Sequence, residues 1–250
     1  MLSVDLIIYV VVVYILAGFV KGVVGVGLPT ISLAMLATVL GLKEAMLVLL
    51  APSLITNLAQ ALAGGRLYDL TKRFWMFLLS LFLLTWFSTG ILVMADGNLL
   101  KIGLGIILLL YCVSYFSKLK IPKTGINEKW LSPLMGGLTG VSTGLTGTFV
   151  VPGTLYLQRM LSNRHALVQA MGLSGSVATI SLGVSLGGRG VLSNELLFTS
   201  CAMVIPALMG MAFGNMVRSK INEVLFRKLF FVSLSFLGIW IVVSAVINLN

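Results

Sequence analysis

One lysine inside an apolar stretch poses the first chemical question. Lys21 interrupts the segment GFVKGVVGVGLP, which runs from Gly18 to Pro29 with no other charge. A charge within a membrane is costly and points to function, and an ammonium there is a partner for an anion. Gly25, Gly27, Pro29 and Thr30 follow it, and a similar segment, STGLTGTFVVPG, holds Thr143, Thr146, Gly147, Thr148 and Pro152. Proline suits the first turn of a helix, so each segment predicts a helix that breaks at glycine and restarts. A restarting N-terminus offers unbonded N–H groups and about half a positive charge, which suits an anion. A second pattern is a polar stripe: Ser53, Thr56, Asn57 and Gln60 fall at i, i+3, i+4 and i+7, and Gln169, Ser176 and Thr179 make a similar one. Such stripes line a solute path or bond one helix to another. The candidate anion-binding set is therefore Lys21, Gly25, Gly27, Thr30, Ser53, Asn57, Thr143, Thr146, Gly147, Thr148 and Ser176.

Other chemistries lack their residues. Asp5, Glu44, Asp69, Asp96, Glu128, Glu195 and Glu223 all fall at apolar-segment ends or in loops. Cation paths and proton relays need an interior carboxylate, so an anion or a neutral solute remains. Gly172-Leu173-Ser174-Gly175 has the GxSG form of intramembrane serine proteases, and a nucleophilic serine needs a base within reach. The single histidine, His165, lies about 13.5 Å of helix rise and about 900° of rotation away, on the opposite side. No enzyme, metal site or cofactor is expected. Cys112 and Cys201 lie singly in apolar segments and read as small hydrophobes.

The elements that position these residues are membrane segments. Hydrophobic residues make up 58% of the 250 and charged ones 10%, against roughly 25% charged in a soluble domain. Mean hydropathy is +1.09, so the solvent is lipid. The net charge of +10 comes from short gaps between apolar runs and forms no nucleic-acid motif. Met1–Asp5 lacks the basic start of a signal peptide, so the first apolar run is read as part of the mature protein. Ten segments are predicted, near 6–20, 23–41, 45–63, 74–95, 98–117, 131–143, 145–161, 166–187, 195–215 and 227–249. They group as a first membrane repeat (1–117), a Lys-rich cytoplasmic linker (118–130) and a second repeat (131–250), forming one integrated domain.

The halves look duplicated. Gly18, Gly22 and Gly25 recur as Gly140, Gly144 and Gly147 at an offset of 122. After one inserted residue, Pro29, Ser53, Thr56 and Gly64-Gly65-Arg66 recur at 123 as Pro152, Ser176, Thr179 and Gly187-Gly188-Arg189. If segments alternate sides, 13 Lys and Arg flank one face and 3 (Lys43, Lys101, Arg189) the other, with Lys21 left over. The positive-inside rule makes the first face cytoplasmic and both termini external. Five segments per half invert the second repeat, an arrangement typical of secondary transporters with a midplane site.

Residues 131–143 are too short to span about 30 Å. The first segment pair of each half, 6–41 and 131–161, is therefore read as a re-entrant hairpin broken near the midplane. The alternative, in which 6–20 and 23–41 both cross, puts Lys21 at the cytoplasmic surface as one more topogenic charge. Gly18, Gly22, Gly140 and Gly144 either serve the site or let helices approach closely. The expected fold is an all-α polytopic membrane protein with two inverted repeats, each a Gly/Pro-broken hairpin plus three transmembrane helices.

GFVKGVVGVGLP, its repeat and the paired GGR resemble the sulfite exporter TauE/SafE family over essentially the whole chain. The resemblance implies a bacterial inner-membrane permease for sulfite, organosulfonates or related small anions. Its implied partners are a small anionic substrate and the lipid bilayer, with no nucleic acid, and self-association is left open. The second half departs from the pattern at Thr143 and in its extra residue before Pro152. The rival readings are a non-transporting membrane scaffold and a transporter of a neutral solute.

Overall fold

The computed structural model describes residues 4–118, 127–149 and 151–247, apart from the side chain of Glu223. Most of the predicted linker, 118–130, lies outside the described residues. Those described fold into helices joined by short turns: α1 (Val4–Val24), α2 (Leu28–Leu36), α3 (Leu42–Leu62), α4 (Leu67–Met94), α5 (Gly97–Phe116), α6 (Glu128–Thr146), α7 (Gly153–Met160), α8 (Arg164–Gly188), α9 (Asn194–Ala202), α10 (Val204–Val217) and α11 (Glu223–Ile247). Seven stretches are long and apolar enough to cross a membrane: α1, α3, α4, α5, α8, the pair α9–α10 together, and α11.

Local chemistry sets many of the ends. Side chains of Asp96, Asn127, Asn163 and Asn222 accept from backbone N–H groups at the starts of α5, α6, α8 and α11, satisfying donors that have no partner within the helix. The ends of α1 and α6 repeat each other. Gly25 N–H donates to Lys21 O at 2.7 Å, and Gly147 N–H donates to Thr143 O at 2.7 Å. These glycines have φ of +92° and +74°, the left-handed cap that glycine adopts without a Cβ penalty.

The caps correct the lengths read from sequence. The first arm of each hairpin is not the short piece 6–20 or 131–143. It is a helix of 21 residues in α1 and 19 in α6, or about 31 and 28 Å. Lys21 and Thr143 do not interrupt these helices, which run on to the left-handed glycine. Only the returning arms are short, 9 residues in α2 and 8 in α7. A further break divides the predicted segment 195–215 at Met203, between α9 and α10. Pro206 lacks an N–H and its ring crowds the carbonyl of Ala202, so the helix cannot run straight through.

Helix pairing follows an exchange of halves. α1 packs on α10 as α6 packs on α4, α3 packs on α9 as α8 packs on α4, and α3 meets α8 and α5 meets α11. The glycines that recur between halves form these contacts. A Cβ on Gly18 or Gly22 would collide with the backbone of Ala207 or Met211, and one on Gly140 or Gly144 with that of Leu81 or Thr85. Small residues at helix crossings let backbones meet, a main source of affinity where lipid removes the hydrophobic drive.

Helix ends sort onto two sides. Arg73 near the start of α4 lies 3.7 Å from Glu128 at the start of α6. Arg227 in α11 reaches Val24 O at the end of α1 (3.4 Å). At the other end, Lys43 donates to Val93 O and Ala95 O, at 2.9 and 3.3 Å, beside the end of α4.

Candidate functional site

Lys21 sits in the last turn of α1 and is 3% exposed. Its ammonium donates to Thr56 Oγ1 at 3.0 Å and to Asn57 Oδ1, both on α3. These neutral oxygens are its hydrogen-bond acceptors, and no carboxylate among the described residues pairs with it. An ammonium has three donors, and a buried charge compensated only by neutral groups is a costly arrangement unless an ion completes it.

The polar chain continues away from Lys21. Asn57 Nδ2 donates to Ser53 Oγ (3.2 Å), and Ser53 Oγ lies 3.0 Å from Thr179 Oγ1 of α8. On the hairpin side, Gln60 Nε2 donates to Gly25 O at 2.7 Å, tying α3 to the break after α1. The stripe 53, 56, 57, 60 thus faces the hairpin and α8 together. A narrow crevice runs between Lys21, Gly25, Gly27, Asn57, Gln60 and Phe149. Thr30, in the first turn of α2, is 1% exposed and its hydroxyl has no hydrogen-bond partner among the described residues.

Two cavities adjoin this crevice. One of about 180 Å³ is lined by Lys21, Gly25 and Gln60 together with Asn215 and Arg218. The other, of about 240 Å³, shares Val26 and Met171 with the crevice. It is lined also by Val151, Lys118, Arg164 and Arg227, and by no Asp or Glu among the described residues. These basic residues stand at the end of α5 and the starts of α8 and α11.

The second hairpin is arranged differently. Thr143 Oγ1 donates to Thr139 O at 2.7 Å, and Thr146 Oγ1 to Ser142 O at 2.7 Å. Thr146 and Thr148 hydroxyls lie 3.0 Å apart. A Cβ at Gly147 would meet Leu33 and Met46, so this break is seated against α2 and α3. Phe149 follows it and reaches across to Gly175 and Asn57, where a Cβ on Gly175 would come within 2.7 Å of its ring.

A profile of the sulfite exporter TauE/SafE family matches residues 10–241. The chain belongs to the sulfite exporter TauE/SafE family. That match spans both hairpins, the polar chain and the cavities. No match was found among curated proteins or solved structures. Family membership and the seven apolar stretches make this a multi-pass membrane protein of a transporter family for sulfur anions.

Of the residues predicted for the TauE/SafE site, Lys21, Gly25, Gly27 and Asn57 line the crevice, and Ser53 joins through Asn57. Thr30 starts α2 beside Pro29 of that crevice. Thr143, Thr146, Gly147 and Thr148 form a separate polar group in the other break. Ser176 Oγ donates to Gly172 O within its own helix (2.9 Å). Lys118, Arg164 and Arg227 are among the 13 basic residues that the charge count assigns to topology alone. No single spacing in the sequence signals their cavity: Lys118 follows the end of α5, and Arg164 and Arg227 lie near the starts of α8 and α11. His165 and Ser174 both lie on α8, where Ser174 Oγ donates to Ala170 O (2.7 Å).

Proposed function

We propose that this protein exports a small oxyanion, such as sulfite or an organosulfonate, from the cytoplasm of a bacterial cell, binding it at the break after α1. The observation that carries this reading is Lys21: a buried ammonium held only by Thr56 and Asn57, at the rim of a crevice that continues into cavities. In this reading the anion takes the third ammonium donor, the N–H groups opening α2 and the unpartnered hydroxyl of Thr30. Gly25 and Gly27 keep that approach free of side chains. Asn57 and Ser53 hold Lys21 in place. Thr143, Thr146, Gly147, Thr148 and Ser176 shape the opposing wall, from which Phe149 closes the crevice.

The two halves act as inverted repeats, each a hairpin plus three spanning stretches. Exchange of contacts between halves and the matched glycine caps support this. The basic helix ends then lie in the cytoplasm and both termini outside, by the positive-inside rule. In this reading the two cavities, one lined by Arg218 and the other by Lys118, Arg164 and Arg227, face the cytoplasm, where cargo for export is collected. The protein resides in the inner membrane.

Proteoliposomes test the reading. Sulfite or methanesulfonate flux above that of empty vesicles is expected, with none for ammonium or small amines. Folded protein that moves no small anion refutes transport and favours a scaffold. The arrangement has its own check. Cysteines introduced as Asp96→Cys and Ser193→Cys should label from outside intact cells, and Asn222→Cys should not. Outside labelling at position 222 refutes the inverted arrangement.

A further inference from the structure

The crevice beside Lys21 is shut, with no room for a water molecule. An anion that binds there must arrive from a neighbouring space. Among the described residues, the cavity of about 240 Å³ shares with the crevice only Val26 and Met171, two apolar side chains. The cavity of about 180 Å³ shares Lys21, Gly25 and Gln60 with it, and has room for on the order of six water molecules. The two shared polar side chains keep donors in reserve among the described residues. The Lys21 ammonium gives two of its three N–H groups to Thr56 and Asn57, and the Gln60 amide gives one of its two to Gly25 O at 2.7 Å. Asn215 of α10 also lines this cavity, and no Asp or Glu among the described residues does.

We propose that the cavity of about 180 Å³ is the loading site of the exported anion, and that Gln60 is both a contact to that anion and the door into the crevice. The proposal rests on the anion-transport reading above. At the loading site the anion takes the reserve donors of Lys21 and Gln60, before it meets the N–H groups of α2. A charge-assisted bond from an ammonium is roughly twice as strong as a neutral one, so Lys21 supplies the attraction and Gln60 the direction. Passage inward requires Gln60 Nε2 to leave Gly25 O, a single neutral hydrogen bond that the anion itself replaces. The helix that carries the door is fixed: Gln169 of α8 donates to Ala61 O at 2.7 Å and accepts from Arg66 N–H at 3.2 Å. The other half has no such door, because the counterpart of Gln60 is Gly183.

Thiol protection and flux test it, in a Cys201→Ser background that leaves only the buried Cys112. Asn215→Cys places a thiol in the loading cavity and Gln158→Cys one in the larger cavity, both at exposed positions. In phosphatidylcholine nanodiscs, methanesulfonate should slow iodoacetamide modification at position 215 at least fivefold and at position 158 less than twofold. Lys21→Met should remove the protection. Protection absent at 215, found at 158 instead, or surviving Lys21→Met overturns the proposal. Gln60→Leu keeps the bulk and loses both the donor and the bond to Gly25 O. In proteoliposomes its apparent affinity for methanesulfonate should fall at least tenfold while the maximal rate does not fall, because the door no longer has to be unfastened. A lower maximal rate at unchanged affinity makes Gln60 a structural prop and overturns its role. Gln60→Glu keeps the shape, replaces the donors by a negative charge and should abolish protection at 215 in protein that melts as a folded chain. Retained protection there overturns the proposal as well. Failure of the transport reading shows separately, as absent methanesulfonate flux with protection at 215 intact.

Discussion

The two hairpins share a backbone plan and differ in what they hold. Each long helix ends in the same glycine cap, with a bond of 2.7 Å from Gly25 to Lys21 O and from Gly147 to Thr143 O. At the fourth residue before that glycine, one half places an ammonium and the other a threonine. The difference extends to the helix behind. Asn57 is 1% exposed and bonds Lys21, whereas its repeat counterpart Ile180 is 43% exposed. Gln60, which holds Gly25 O, corresponds to Gly183. Thr56 accepts from Lys21, and its counterpart Thr179 is bonded to Ser53. The two breaks share a glycine cap, and the one after α1 is the break that carries a buried ammonium. A backbone break at depth needs only a positive-φ glycine and protein around it. An anion site needs charge as well.

The largest expected effect comes from removing that charge. Lys21→Met keeps the length of the side chain and should reduce anion flux to the level of empty vesicles. The melting temperature of the empty protein should not fall, because an ammonium buried without a counter-ion is itself destabilising. Normal flux in this variant would leave the comparison between hairpins without functional meaning.

A second pair of substitutions asks whether the frame is as symmetric as the contacts suggest. Gly22→Val and Gly144→Val each force a side chain into a facing helix backbone, α10 in one case and α4 in the other. Both should destabilise by about 1–3 kcal/mol, the usual range for overpacking. Equivalent losses in chemical denaturation would support shared architecture, and a loss in one half only would break it.

Asn57→Leu is expected to do less. It removes one of the two acceptors at Lys21 and the link to Ser53 while Thr56 remains. Flux should fall roughly tenfold, about 1.4 kcal/mol of lost positioning, with the apparent affinity for sulfite weakened more than the maximal rate. An unchanged affinity would mean that Lys21 is positioned by its helix alone.

Much of this frame was readable from glycine and proline. The offset pattern pointed to both breaks, because few residues other than glycine adopt the φ that the caps require. The polar stripe on α3 was readable from its helical period. The first arms are longer than the predicted segments because neither Lys21 nor the threonines near 143 end a helix. Lysine is a good helix former, and its charge was met by Thr56 and Asn57, some 35 residues away in sequence. Hydropathy carries no information on such a partner. The basic cavity is hidden for a related reason: Lys118 follows α5 while Arg164 and Arg227 begin α8 and α11, and only tertiary structure brings the three to one cavity.

The smallest effect is expected at the counterpart of Lys21. Thr143 Oγ1 is bonded to Thr139 O of its own helix at 2.7 Å and lies 3.4 Å from Thr148 O. The bond that ends α6 uses the Thr143 carbonyl rather than its side chain. Thr143→Ala therefore deletes a hydroxyl whose main partner, a helix carbonyl, is already engaged along the helix. A net loss of about 0.5–1.5 kcal/mol is the ordinary worth of such a hydrogen bond, and the low end applies because the carbonyl is not left unpaired. Sulfite flux should stay within twofold of wild type, since the hairpin break and the charge at Lys21 are both retained. Measured beside Lys21→Met, the pair isolates charge from backbone at two equivalent positions. If Thr143→Ala abolishes flux while the protein stays folded, the second hairpin contacts the anion directly. The division into a charged half and a framing half is then wrong.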